Sequence, residues 1–542
     1  MIFRTFLAAS IIAVAPFAVK AQSNAKRPKL VVGIVVDQFR NDYLYRYADQ
    51  YTGGFKRMLE GGFYCANNHF SYVPTSTGPG HAAVYTGTTP SVHGISANDW
   101  YDRLSKDDMY CVQDKSVRSV GIDNADGQMS PKNLKTTTIT DELMLTLNFR
   151  SKVVAVSLKD RGAVLPAGHL GKAFWYSKSK FISSSFYYEA LPDWVDAFND
   201  QKLVETYMAK GWDLLLPIEK YTASLPDDSP YEKKWVGEAA PLMPKNLVAL
   251  AEDNGFDNVF KRSPFGNTIL LDFAEAAIKA EQMGEDDDTD FLCLSFSTPD
   301  YLGHAVGARA VEVQDMYLRL DRDLGAFFKF LDKEVGKGQY TVFLTADHGV
   351  SEVPQFSIDH QLPGGYLDAS AIKAHIAAVL EKYPDQGATF VEKVLEEQIF
   401  LNREAIVGAG ADYTEVRDLI VQSLRAEAGI YNAYPTEEIM RLGAGTEFPL
   451  KQLSRGLYPP LAGDIAVLAH SGWMYYGPTG STHGSAWNND THVPLIFYGK
   501  GIPKGITYRE TNTRDIASTI AMMLRISLPN GSTGTPVHEV LR

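Results

Sequence analysis

Cysteine is scarce in this chain, with only Cys65, Cys111 and Cys293 among 542 residues. So few, and an odd number, exclude a disulfide-stapled scaffold and allow one internal bridge at most. Cys293 lies in Phe291-Leu-Cys-Leu-Ser-Phe296, an apolar run that reads as a buried strand with an inert core thiol. Cys65–Cys111 is the bridge an oxidising compartment would allow. Positive charge is in deficit too: 52 Lys and Arg stand against 65 Asp and Glu, a formal net charge of −13. That argues against bulk attraction to polymeric nucleic acid or an anionic membrane. A pocket made locally positive by metal ions and a few cationic groups can still bind phosphate. Internal repeats and low-complexity tracts are missing. The acidic run Glu285-Asp-Asp-Asp288 lacks the spaced oxygen ligands of a calcium loop and reads as solvated.

Past the first twenty or so residues, no apolar stretch reaches spanning length, so no stable membrane anchor is expected. The start resembles a secretory signal over residues 1–21: Arg4 precedes an apolar run from Phe6 to Val19, and Val19-Lys-Ala21 suits cleavage before Gln22. The mature protein is therefore expected to be periplasmic or secreted, and bacterial.

What is present is an ordinary globular composition, 45% hydrophobic and 22% charged. Leu30–Val36 is a continuous β-branched run of the kind buried on both faces of a sheet. Similar runs are Val153–Val156, Phe291–Leu294, Thr341–Leu344 and Val493–Tyr498, with a weaker one at Ile465–Leu468. Helical spacing separates them, most clearly over Val311–Val335 and Arg514–Leu524. Strands alternating with helices predict an α/β fold, a large and mostly parallel sheet covered on both faces. Its body would comprise residues 28–360 and 460–542. Two segments interrupt the alternation: a Tyr-, Trp- and Pro-rich excursion near the site over 165–265, and a small α+β insertion over 361–459 with a helix at Tyr413–Ala426.

Candidate metal ligands sit at predicted strand ends: Asp37, then Asp300 and His304, then Asp347 and His348. A sixth comes from His470, His483 or His492, which spacing alone does not separate. Carboxylate with imidazole suits a divalent ion, most often zinc, with manganese or magnesium as alternatives. Six ligands make two three-ligand sites, each with an open position, as catalysis requires. Asp300 and His304 share a face only if their segment is helical, and Pro299 with Gly303 leaves a loop equally open. Pro74-Thr-Ser-Thr-Gly-Pro-Gly-His81 reads as a turn into a helix, with the Thr77 hydroxyl near the helix N-terminus as cap or as nucleophile. Lys159 and Arg161, in a strand-like segment, would point to one side and clamp phosphate oxygens, with Asn98 donating from its amide.

These motifs, taken in order, resemble the alkaline phosphatase superfamily. They are Val-Val-Asp37, Pro-Thr-Ser-Thr77-Gly-Pro-Gly-His, His-Gly-Ile-Ser-Ala-Asn98, Ser-Leu-Lys159-Asp-Arg161, Pro-Asp300-Tyr-Leu-Gly-His304, Ala-Asp347-His348-Gly and Thr-His483-Gly. The resemblance is to its threonine-nucleophile phosphate monoesterases. It implies two Zn²⁺ per chain, one held by Asp37, Asp347 and His348, the other by Asp300, His304 and His483. It also implies Thr77 as nucleophile, Asn98, Lys159 and Arg161 as substrate-binding residues, and small phosphate monoesters as substrates. The sulfatase branch carries an Arg that Thr77-Gly-Pro-Gly-His81 lacks. The phosphodiesterase branch shares the metals and the Thr but lacks the Lys/Arg pair, and stands as the alternative.

Overall fold

The computed structural model describes residues 26–383, 389–445 and 447–541, so the expected signal segment lies outside the described residues. At its centre five strands run parallel: β1 (Leu30–Val36), β2 (Val153–Ser157), β3 (Lys172–Ser177), β4 (Asp290–Phe296) and β5 (Tyr340–Thr345). Their spatial order is β5-β1-β4-β2-β3. A sixth strand, β6 (Leu495–Gly499), pairs antiparallel with β5, and short flanking strands bring the sheet to ten. The fold is the expected α/β sheet, parallel through its middle, with antiparallel pairs flanking the centre on both sides and a parallel pair again at one edge.

The faces follow from the two-residue period of a strand. Val32, Ile34 and Val36 pack on one side against α3 (Phe265–Ala280) and α5 (Val311–Leu331). Val31 and Val35 pack on the other against α1 (Thr77–Thr86), α2 (Asp160–Ala167) and α6 (Asp515–Leu524). Each such side chain contributes about 1.5–3 kcal/mol by leaving water. Gly33 is required where it stands, because a Cβ there would lie 2.5 Å from the Tyr85 hydroxyl of α1. The central strands also end level with one another. Val35 is opposite Ser295 and Thr345, and Ser295 is opposite Ser157. The residues that follow therefore emerge along one rim, which is where open parallel sheets bind ligands.

The second layer of organisation is a four-stranded antiparallel sheet, ordered Val391–Leu395, Gln398–Leu401, Ile465–Ala469 and Ile430–Pro435. Ala369–Val379 and Tyr413–Arg425 cover it, with their own core of Ile372, Ile399, Ile420 and Val467. The run at Ile465–Leu468 thus belongs to this small sheet and not to the alternating series of the large one. A five-residue apolar strand reads the same in either setting, and only its pairing partners tell them apart. The 165–265 excursion likewise begins inside the large sheet, with β3 and Lys180–Ser184, before turning to helices.

The Cys65–Cys111 bridge that an oxidising compartment would allow is not formed: all three cysteines are free and buried. Cys65 ends a strand paired with Gly505–Thr507, while Cys111 Sγ faces the start of α1, 3.1 Å from where a Cβ on Gly78 would be. The two thiols serve different packing sites.

Candidate active site

The rim of the sheet carries the ligand set. Asp37 directly follows β1. Asp300 and His304 lie in α4 (Thr298–Val306), so the segment is helical and both side chains share a face. Asp347 and His348 occupy the turn after β5. Asp37, Asp300, Asp347 and His348 are buried. Two groups of donor atoms converge closely enough to hold a metal ion: Asp300, His304 and His483, and Asp37, Asp300 and His348. Asp347 stands beside the second group, its Oδ2 3.8 Å from His348 Nε2. His483 joins the set, with Nε2 3.5 Å from Asp300 Oδ1. His470 packs edge-on against Tyr431, and His492 stacks on His69 with Nε2 2.9 Å from the Ala66 carbonyl oxygen.

The donors are oriented from behind. The Nδ1 atoms of His304, His348 and His483 lie 2.9, 2.9 and 2.8 Å from the carbonyl oxygens of Ser481, Gly349 and Thr75. A proton on Nδ1 leaves each Nε2 lone pair for a metal. Three buried atoms of the cluster, Asp37 Oδ1, Asp347 Oδ2 and His348 Nε2, have no hydrogen-bond partner. Such orphans are costly unless a cation completes them, so the residues present fit a divalent metal. Electrostatics agrees. Burial, then Asp37, raises the Asp347 carboxyl. Burial opposes protonation of His348, yet Asp347 and Asp37 outweigh it and hold its pKa up. Buried carboxylates this close repel one another until positive charge is supplied.

Thr77 is the first residue of α1 and is buried, 1% exposed. Ser76 holds the N-cap position, and no side chain caps the helix. The Thr77 hydroxyl is therefore not spent as a cap. Lys159 Nζ and Arg161 Nη2 each lie 3.4 Å from Thr77 Oγ. The two cations do not sit in a strand, as spacing predicts: Lys159 is the extended residue before α2, and Arg161 is in its first turn. Their convergence comes from the helix start, pinned by the Lys159 N–H donating to Ser157 Oγ at 3.1 Å. Lys159 Nζ also reaches Asp37 Oδ2 at 2.6 Å and Asp300 Oδ2 at 2.5 Å. Burial works against its charge, but Asp300 and Asp37 prevail and raise its pKa above the ordinary lysine value. Asn98 Oδ1 accepts the Gly78 N–H at 2.8 Å, which leaves the amide nitrogen as its free donor.

Several supports were invisible to motif reading. Gln38, held at φ 65°, donates Nε2 to Asp300 Oδ1 at 2.8 Å and its backbone N–H to Asp347 Oδ1 at 3.3 Å. His81 bridges the Thr77 carbonyl oxygen and Ser295 Oγ, both at 2.9 Å, and burial lowers its pKa to about 4, so it is neutral. Its place in Gly-Pro-Gly-His was the only signal. Gly80 lets α1 approach the Asp347 turn, since a Cβ there would lie 2.2 Å from the Asp347 carbonyl oxygen. Tyr110, on the hairpin of Asp99–Asp102 and Asp107–Tyr110, accepts from Arg161 Nη1 at 2.9 Å and donates to Asp160.

Comparison with known proteins decides the family. The family model described as type I phosphodiesterase / nucleotide pyrophosphatase matches residues 31–493. Alkaline phosphatase PafA of Elizabethkingia meningoseptica is 42% identical over 525 residues, 95% of each chain. The chain belongs to the alkaline phosphatase superfamily, among the PafA-type proteins. A crystal structure of wild-type PafA superposes with a TM-score of 0.91 at 41% identity, covering 96% of this chain and 100% of that one. A protein of Myroides odoratus named calcium-transporting ATPase is 41% identical over 536 residues, 97% of each chain. Among the described residues of the present chain, no helix is long and apolar enough to cross a membrane.

Proposed function

We propose that this protein is a zinc-dependent phosphate monoester hydrolase, exported to the periplasm or beyond, that works through a covalent phosphothreonine. The observation that carries the reading is the convergence of Lys159 Nζ and Arg161 Nη2 on Thr77 Oγ, beside the Asp/His donor groups. Asp37, Asp347 and His348 would hold one zinc, and Asp300, His304 and His483 the other. When bound, the metals supply a lowered hydroxyl pKa and Lewis-acid stabilisation of the departing oxygen.

The chain's own groups do the rest. Thr77 Oγ attacks phosphorus, the ester oxygen leaves with its electron pair, and phosphothreonine remains. Water then displaces the threonine oxygen and releases inorganic phosphate. Lys159 and Arg161 neutralise the dianionic phosphoryl group, whose second negative charge separates a monoester from a diester. The Asn98 amide donates to one non-bridging oxygen. The N-terminus of α1 adds its partial positive charge. The same dianionic terminus exists on ATP, so the name of the Myroides relative falls within this chemistry.

The alternative, a diesterase of the same superfamily, is separated by one comparison. Replacing Lys159 and Arg161 together by Ala is expected to reduce kcat/KM for a phosphate monoester by roughly 10²–10⁴-fold, and for the matched diester by far less. Equal losses on both substrates would refute the monoester assignment. Thr77→Ala is expected to lose the activity and the acid-stable phosphoryl mass increment on the residue 77 peptide after quenching. Full activity in that variant would remove Thr77 as nucleophile.

A further inference from the structure

A cleft of about 400 Å³ opens above the site, with Asn98, His304 and His483 on its catalytic wall. The opposite wall comes from the inserted sheet. The hairpin joining Val391–Leu395 to Gln398–Leu401 turns at Glu396 and Glu397, and both side chains line the cleft. These are unusual turn residues. Their φ values are 49° and 55°, the left-handed pair of a two-residue hairpin turn that Asn and Gly ordinarily fill. A long acidic side chain in that geometry points to a use for the carboxylate beyond turning the chain. Among the described residues, neither carboxylate has a hydrogen bond or an ion pair within 4 Å. Burial, then Glu397 and Asp99, raises the Glu396 carboxyl to about 8, against the pull of Arg161. Burial and Asp490 raise Glu397 to about 7. Two carboxyl groups have been brought to the wall of the cleft with no partner among the described residues, and they carry full negative charge only above neutral pH.

The remaining lining says what would compensate it. Trp473 and Tyr475 line the same cleft, and burial, then Glu397, raises the Tyr475 phenol. Ser76, only 4% exposed, also lines it, and its hydroxyl has no partner. The groups that converge as metal donors do not include Glu396 or Glu397. Carboxylates in a cleft that aromatic side chains also line, without a third convergent ligand, suit an organic ammonium group better than a metal ion. The cleft reaches Ser76 and Asn98, the neighbours of Thr77 in sequence and in space, so it offers room for the alcohol portion of a substrate held at Thr77.

We propose that Glu396 and Glu397 form a subsite for a cationic leaving group, so that the favoured monoesters are those of amino alcohols. This rests on the phosphomonoesterase reading above and deepens it. The ammonium lies between the hairpin tip and the aromatic wall. Ser76 can hydrogen-bond the alcohol portion near the ester oxygen.

The test compares phosphocholine with 3,3-dimethylbutyl phosphate, its uncharged carbon counterpart, at pH 9 where both glutamates ionise. The unmodified enzyme is expected to favour phosphocholine by roughly 10-fold in kcat/KM. The Glu396→Gln/Glu397→Gln protein is expected to lose that preference while its rate on the neutral ester stays within about two-fold, which also reports that it folds. Equal rates on the two esters in the unmodified enzyme, or an undiminished preference in the double variant, would overturn the subsite. Calorimetric binding of choline to both proteins separates the two levels of the argument. A protein that hydrolyses no monoester yet binds choline, and loses that binding with the glutamates, would sink the monoesterase reading and leave the subsite standing.

Discussion

The two walls of the cleft are built on opposite plans. On the wall made by the sheet rim, polar groups are held by one another: Lys159 by Asp37 and Asp300, each candidate metal-donor histidine by a carbonyl oxygen, Asp300 by Gln38. On the wall made by the inserted sheet, Glu396 and Glu397 line the opening with no carboxylate partner among the described residues. The first plan fixes geometry before substrate arrives, which is how positioning and electrostatic stabilisation lower a barrier. The second leaves charge for the substrate to satisfy, which is how a site discriminates. On the two proposals above, chemistry and selection would sit on different pieces of the fold, joined where Tyr101 packs on Phe400 and Arg103 donates to Asp464 at 2.5 Å and to the Leu401 carbonyl oxygen at 3.1 Å.

Breaking the rim should cost most. Asp300 belongs to both groups of convergent donors, so Asp300→Asn should lower metal content and reduce kcat/KM by ~1,000-fold, given that metals supply several kcal/mol of transition-state stabilisation. Normal metal content with normal rates would show that the rim is not the catalytic wall. The ion cluster behind the rim comes next. Glu352 ties the loop after β1 to the loop after β5, accepting from Arg40 at 2.8 Å and from Arg309 at 2.9 and 3.0 Å. Burial alone would raise its pKa, but Arg40 and Arg309 hold it near 2, below the ordinary 4.5. Because the folded value is the lower one, this stability is present above pH 4.5 and is lost as pH falls toward 2. It is worth on the order of 3 kcal/mol. Denaturation across that range should show a shallower acid loss in Glu352→Gln than in the unmodified protein; parallel curves would deny the cluster its role.

The smallest effect is expected at the joint. Arg103→Ala removes the hydrogen bonds to Asp464 and the Leu401 carbonyl oxygen, the ion pair with Glu392 and the contact over the Phe400 ring, but leaves the buried Asp464 with Arg403 and Tyr413. A loss of about 1–2 kcal/mol confined to the inserted sheet should follow, read as faster amide exchange over Gln398–Leu401. Rates on neutral monoesters should stay within about three-fold. Exchange that speeds up across β1 and β4 as well would mean that the two walls unfold as one unit.

Legibility in the sequence divides along the same line. Most of the rim was readable because Asp37, Asp300 and Asp347 each come soon after a doubly buried strand, and such strands announce themselves as unbroken β-branched runs. The order of the motifs then carried the resemblance that singled out His483 over His470 and His492. Local geometry was less readable. Whether Asp300 and His304 share a helical face, and how Lys159 and Arg161 come to point together, depends on where α4 and α2 begin, and Pro and Gly near those starts permit more than one answer. Buried cysteines could not reveal that they are apart, since composition says nothing about distance.

Sequence by itself determined the alternation of strands and helices, the chemistry of the ligands and the threonine among them, because periodicity and residue type are properties of a chain before it folds. Tertiary structure alone decided that Ile465–Ala469 joins the small sheet, that Gln38 braces Asp300 and Asp347 while His81 bridges Thr77 and Ser295, and that a two-residue turn from a distant insertion lines the cleft beside the rim. Those depend on which surfaces meet. Contacts between residues hundreds of positions apart leave no trace in local pattern.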